Sequence, residues 1–152
     1  LPIWGALVPR GKTRAQFQAC VGMIGRIMEN PAAQAYFNEP VDAVALGVPQ
    51  YHDVIEAGGS RAMDLGTIKK RLLSEAYESV DALAEDVRRV FLNATIFNAP
   101  DNDVHQCALN LQTNFEIALQ GCPKIAAVCK TPSSRDLSAA MNSSSGGGAR
   151  AG

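Results

Sequence analysis

Val80-Asp81-Ala82-Leu83-Ala84-Glu85-Asp86-Val87-Arg88-Arg89-Val90-Phe91-Leu92-Asn93-Ala94-Thr95-Ile96-Phe97 runs directly into Asn98-Ala99-Pro100-Asp101-Asn102-Asp103, and this stretch decides the fold class. Val80, Leu83, Ala84, Val87, Val90, Phe91, Ala94 and Phe97 recur every three or four residues, which gathers them on one face of an α-helix for about five turns. Ser79 stands where an N-cap belongs, and Pro100 resists further helix. Asn98 carries the functional interest. A primary amide at a helix end, beside a loop that cannot stay helical, can be held at the mouth of a pocket and donate its NH2 to a carbonyl.

Downstream, Asp103 with Gln106 predicts a capping box and a further helix. Its apolar face would comprise Val104, Cys107, Ala108, Leu111, Phe115, Ala118 and Leu119, and Gly121-Cys122-Pro123 would end it. Lys124 to Lys130 could add one more turn. Upstream, Asp64 predicts the cap of a short helix with Leu65, Ile68, Leu72 and Leu73 on one face. Thr13 with Gln16 predicts a capping box for the first helix, with Phe17, Cys20, Val21, Ile24, Ile27 and Met28 at helical spacing. Asn30-Pro31 stops it, and Gly22 and Gly25 suggest close approach of a neighbouring helix.

Residues 32–63 show no sustained period, and Pro40, Gly47, Pro49, Gly58 and Gly59 break regular structure. Yet Phe37, Val41, Val44, Leu46, Val48, Tyr51, Val54 and Ile55 are too apolar for a solvated linker. Such a segment must pack on something or line something, and long loops inside compact domains tend to be functional. From Thr131 the chain turns to Ser, Gly and Ala, the composition of a flexible tail.

The 152 residues allow one domain plus tails, and 47% apolar residues suffice for one core. A net charge of −1 gives no overall reason to expect nucleic acid as a partner, and no apolar run is long enough to span a membrane. Cys20, Cys107, Cys122 and Cys129 form no CxxC pair and have no histidine cluster beside them, so free intracellular thiols are expected rather than disulfides or a metal site. His52-Asp53 and His105 have no accompanying nucleophile motif, so surface roles are favoured over acid–base chemistry. Lys69-Lys70-Arg71 and Arg88-Arg89 are expected to be solvated helix faces. The apolar start, Leu1 to Val8, lacks a basic leader and is interrupted by Pro2 and Gly5. With no initiator methionine, the expectation is a fragment of a longer protein without a signal peptide.

Tyr51 within Pro49-Gln50-Tyr51-His52-Asp53-Val54-Ile55, the block Met63-Asp64-Leu65-Gly66-Thr67-Ile68-Lys69-Lys70-Arg71-Leu72, Asp86-Val87-Arg88, Asn93 and Asn98 together resemble the bromodomain family. The resemblance implies an all-α, left-handed four-helix bundle with a long loop between the first and second helices. Two loops at one end would close over a pocket for acetylated lysine. It implies an N-terminal extension at 1–12, a bromodomain at 13–122 and a flexible C-terminal extension at 123–152. Asn98 matches the asparagine that donates to the acetyl carbonyl, and Tyr51 the tyrosine that reaches it through water. Val41, Leu46 and Val48 match apolar wall positions, Phe37 the aromatic at the loop's start, and Val104 the residue flanking the entrance. Phe97 stands where many members carry tyrosine, and its hydroxyl is missing here.

Three departures bear on peptide preference. Ala35-Tyr36-Phe37 replaces the common Trp-Pro-Phe, and Ala62 replaces the usual proline before Met63. Glu56-Ala57-Gly58-Gly59-Ser60-Arg61 is longer than the common form and is expected to be a surface excursion. The implied activity is non-enzymatic and needs no cofactor or metal. The module, expected to be monomeric, would bind acetylated lysine on histone tails or other nuclear proteins, recruiting its parent protein to chromatin in the nucleus. The alternative is a scaffold of the same fold that has lost this recognition.

Overall fold

The computed structural model describes residues 10–122, with side chains from residue 14. The expected C-terminal extension at 123–152, with Cys129 and the extra turn from Lys124 to Lys130, lies outside the described residues, as do residues 1–9. The helices are α1 (Arg10–Glu29), α2 (Pro31–Tyr36), α3 (Tyr51–Ala57), α4 (Leu65–Leu73), α5 (Val80–Phe97) and α6 (Asp103–Gly121), with no strand among the described residues. The fold is all-α, as expected. α1, α4, α5 and α6 form the bundle, and α2 and α3 lie in the connection between α1 and α4.

One core joins the four bundle helices. Cys20 and Ile24 from α1 meet Ile68 and Leu72 from α4, Val87 and Phe91 from α5, and Leu111, Phe115 and Leu119 from α6. Each large side chain fully buried there contributes about 1.5 to 3 kcal/mol of hydrophobic stabilisation. A smaller cluster of Ala43, Tyr51 and Ile55 sits under the α1–α4 connection, against Val41, Val48, Ile96 and Phe97. The apolar connection therefore has a core of its own, which fixes the geometry of that end of the bundle.

Caps hold two of the helices as the sequence suggests. Ser79 Oγ accepts from the Ala82 backbone N–H (3.1 Å), and Asp64 Oδ2 accepts from that of Thr67 (2.8 Å). Neither expected capping box falls at the N-cap of its helix. α1 begins at Arg10, so Thr13 lies inside the helix rather than ahead of it. At α6 the N-cap is Asn102, whose Oδ1 accepts from Val104 N–H at 2.8 Å. Gln106 donates instead to the Pro100 carbonyl at 2.6 Å.

Other expectations need correction. The connection is not wholly irregular: Asn30 caps α2, where Pro31 at the first position costs no hydrogen bond, and Tyr51 opens α3. Leu73 is exposed rather than on the buried face of α4. Gly22 and Gly25 do not mark close helix approach, since a Cβ at Gly25 would meet nothing within 4 Å and one at Gly22 only the end of Arg26. Arg88 and Arg89 are half-buried and paired rather than simply solvated. Arg88 grips the buried Glu116 carboxylate with Nε at 2.6 Å and Nη2 at 3.0 Å, tying α5 to α6. Asp86 is a second buried carboxylate, receiving Tyr77 Oη (2.7 Å) and Arg71 Nη1 (3.1 Å), with Arg89 at 3.8 Å and Arg61 at 4.0 Å.

Backbone bonds anchor the connection to the bundle. Leu65 N–H donates to Phe37 O (2.9 Å), and Gly66 N–H to Asn38 O (3.0 Å). A Cβ at Gly66 would stand 2.5 Å from Asn38 O, so glycine is required for this approach. At the other end, Asn93 donates to the Arg61 carbonyl at 2.7 Å and accepts from the buried Ser60 hydroxyl. Asn93 thus bonds loop backbone, as expected. The Gly58-Gly59 stretch lies at the surface, as expected, and buried Ser60 pins its end to α5.

A candidate recognition cavity between the connection and α5

A cavity of about 50 Å3 lies where the connection crosses the end of α5, lined by Tyr36, Phe37, Glu39, Val41, Tyr51, Met63, Val90, Ala94, Asn98 and Val104. That volume is enough for a few water molecules. Its floor is apolar because Val90 and Ala94 stand two turns and one turn before Asn98, on the same helical face. Its sides come from the connection, and Val104 in the first turn of α6 completes the lining.

Asn98 is the C-cap of α5, half-buried, with its backbone N–H and its side-chain Nδ2 both donating to Ala94 O at 3.0 Å. A carbonyl neighbour requires the amide nitrogen, not the oxygen, on that side, so the orientation of the amide is set. One Nδ2 hydrogen is used on Ala94, and the NH2 group has a second. On the loop side, His105 Nδ1 lies 2.7 Å from the Asn98 carbonyl and must carry a proton to donate to it. The asparagine is therefore held at both its side chain and its backbone.

Tyr51 is buried, and its ring meets Phe97 edge-on at a centroid distance of 5.0 Å. Burial pushes the Tyr51 phenol above its ordinary value, so it stays a neutral hydroxyl at physiological pH. Glu39 is the one charged residue in the lining, and it is exposed.

Of the residues singled out in the sequence, Asn98, Tyr51, Val41, Phe37 and Val104 converge on the cavity. Leu46 does not: it is 67% exposed on the connection. Val48 and Phe97 pack against the Tyr51–Ile55 cluster behind the lining rather than forming it. Met63, Tyr36, Glu39, Val90 and Ala94 line the cavity without having been singled out as site residues. The four-residue spacing of Val90, Ala94 and Asn98 was the available signal for two of them. A neighbouring cavity of about 130 Å3 shares Val41, Tyr51 and Met63 with the first and reaches His52, Thr67 and Arg71.

An apolar recess with one oriented amide at its edge, enclosed by loops of an all-helical bundle, defines a helical module with a small ligand-sized site. The chain belongs to the bromodomain family, whose family model, described as Bromodomain, matches residues 20–110. Among curated relatives, a bromodomain-containing protein of Dictyostelium discoideum is 38% identical over 72% of this chain and 6% of its own length. Transcription factor GTE3, chloroplastic, of Arabidopsis thaliana is 36% identical over 75% of this chain and 23% of its own. The chain thus spans less than a quarter of either relative. Among solved structures, the second bromodomain of Candida albicans Bdf1 bound to an imidazopyridine is 33% identical, with a TM-score of 0.61. It covers 68% of this chain and 96% of that one. The unbound form of the same domain gives 34% identity and a TM-score of 0.59, over 68% and 94% of the two chains.

Proposed function

We propose that the cavity binds the side chain of an acetylated lysine, and that the protein is a non-enzymatic reader of this mark. The observation that carries the reading is the fixed amide of Asn98. One of its hydrogens is held by Ala94, and the other is available to a carbonyl entering beside Tyr51. Acetylation turns a charged ammonium into a neutral amide with one strong acceptor and a methyl group. Val90, Ala94, Val41 and Met63 offer the methyl group an apolar seat, and Asn98 offers the carbonyl a donor.

Selectivity follows from the cost of burying the wrong form. An unmodified ammonium would shed its hydration among apolar walls, and the one lining carboxylate, Glu39, is exposed. The acetylated side chain has about eight heavy atoms. At roughly 0.5 to 0.9 kcal/mol each it gains about 4 to 7 kcal/mol, a Kd from about a millimolar to about ten micromolar.

In the cell the reading is recruitment of a parent protein to acetylated histone tails or other acetylated nuclear proteins, in the regulation of transcription. Relatives named as transcription factors support the role, and the nucleus is the compartment it requires. Calorimetric titration with tetra-acetylated and unmodified histone H4 tail peptides tests it. Binding of the acetylated peptide alone is expected. If an array of acetylated peptides gives no binding either, the domain is a scaffold that has lost recognition.

A further inference from the structure

The whole-chain charge of −1 hides a strong asymmetry around the cavity. No lysine or arginine occurs between Arg26 and Arg61, nor between Arg89 and Lys124. Those two segments supply every lining residue of the cavity except Met63. They carry Glu39, Asp42, Asp53 and Glu56 on the α1–α4 side, and Asp101 and Asp103 on the α5–α6 side, all exposed. Of the cations flanking Met63 in sequence, Arg61 and Arg71 both lie within 4.0 Å of Asp86, and neither Lys69 nor Lys70 lines the cavity. Arg71 lines the neighbouring cavity rather than this one.

Beside the cavity runs an open groove of about 820 Å3, lined by Glu39, Pro40, Val41, Asp42, Ala43, Val44, Pro49 and His52. It shares Glu39 and Val41 with the cavity, so it lies within reach of a peptide whose acetylated side chain sits inside. Pro40, Val41, Ala43, Val44 and Pro49 form an apolar floor, with Val44 85% exposed. Two carboxylates, Glu39 and Asp42, stand at its edge. Apolar floor and anionic edge together suit one kind of side chain: a methylene stem ending in a cation.

Resting on the acetyl-lysine reading, we infer that this groove seats an unmodified lysine or arginine of the same peptide, close in sequence to the acetylated residue. The stem of the flanking residue lies over Pro40 and Val44, and its charged head meets Glu39 and Asp42. The site then reads two features at once: a neutral side chain in the cavity and a cation beside it. A peptide whose neighbouring lysines are also acetylated loses the second contact.

The test pairs two peptides that share one acetylated lysine and differ only in their flanks, with lysine in one and alanine in the other. Affinities are measured by calorimetry at 25 and 300 mM salt. The lysine-flanked peptide is expected to bind roughly three- to tenfold more tightly at low salt. The ratio should fall toward one at high salt, where the screening length shrinks to roughly 6 Å. Glu39→Gln/Asp42→Asn removes both charges while keeping their shape, including the Asp42 acceptor for Ala45 N–H. In that variant, checked for fold by circular dichroism, the low-salt ratio should collapse toward one. Equal binding of both peptides by the unaltered protein overturns the groove assignment and leaves the acetyl-lysine reading intact. So does a ratio that survives in the double variant or does not respond to salt. Binding of neither peptide overturns both.

Discussion

Asn98 turns its side-chain amide back onto Ala94, one helical turn earlier, and the 3.0 Å bond between them orients the one fixed donor at the cavity's edge. The Ala94 carbonyl accepts twice, from the Asn98 backbone N–H and from its side chain, as the two lone pairs of a carbonyl oxygen allow. Pre-orientation matters energetically, since an amide that need not be frozen on binding loses less entropy to its ligand. Asn98→Ala removes the donor and is expected to weaken acetylated-peptide binding by about 1 to 3 kcal/mol, or roughly five- to 150-fold. Asn98→Asp should be worse, since it sets an acceptor against the Ala94 carbonyl. Calorimetry on the two variants checks the order, and equal affinity for the native protein and Asn98→Ala would refute the role.

Gly66→Ala tests whether the connection must be clamped to α4 for the cavity to exist. The added Cβ would stand 2.5 Å from Asn38 O, a backbone atom that cannot swing aside. Loss of the Gly66–Asn38 bond and displacement of the neighbouring Phe37 and Glu39 should cost about 1 to 3 kcal/mol of stability and weaken binding as well. Urea unfolding with a parallel titration measures both, and a variant as stable as the native protein would contradict the close approach.

Arg88 and Glu116 make a bidentate pair in which the carboxylate is buried and the guanidinium partly exposed. Arg88→Ala strands that carboxylate and should cost about 3 kcal/mol, whereas Arg88→Met/Glu116→Leu should recover most of the loss. Chemical denaturation of single and double variants decides the matter. A double variant no more stable than Arg88→Ala would show that the pair matters for more than mutual neutralisation.

Alkaline pH should unfold the protein earlier than its surface charge suggests. Burial pushes the Cys20 thiol from 9.0 to about 12, with Cys122 adding to the rise. Burial likewise pushes the Tyr51 and Tyr77 phenols above 10.0, and for Tyr77 the Asp86 carboxylate that it bonds adds to the effect. The folded state holds these acids protonated while the unfolded chain releases them. Stability is therefore intact below about pH 9 and lost as pH rises toward the folded values, by about 1.4 kcal/mol per pH unit for each group. The urea midpoint should be level from pH 7 to 8.5 and fall steeply by pH 10.5. A midpoint unchanged across that range would contradict it.

Long periodic segments were legible in the sequence because helix packing repeats over many residues. The face of α5 from Val80 to Ala94 is buried as its spacing requires, and Ser79 and Asp64 cap where expected. Single-residue roles were less legible. Thr13-x-x-Gln16 and Asp103-x-x-Gln106 look like capping boxes, but Asn102 stands one residue earlier with a side chain equally able to accept. Arg88 looked solvated because a charge run does not reveal a buried Glu116 28 residues away. At the cavity, Asn98 and Tyr51 could be singled out by type and company. Leu46 could not be separated from Val41, because both are apolar loop residues and only the tertiary course of the connection turns one in and leaves the other exposed.

On the acetyl-lysine reading the free hydrogen of the Asn98 amide meets the acetyl carbonyl. The most direct test of that contact is the side-chain 15N–1H2 resonance pair of Asn98, assigned by its absence in Asn98→Ala and followed by NMR during titration with a singly acetylated lysine peptide. One of the two proton resonances should move downfield in saturable steps, while the one held by Ala94 stays nearly still, and the unmodified peptide should move neither. An Asn98 pair that stays in place while acetylated peptide binds elsewhere would contradict the account.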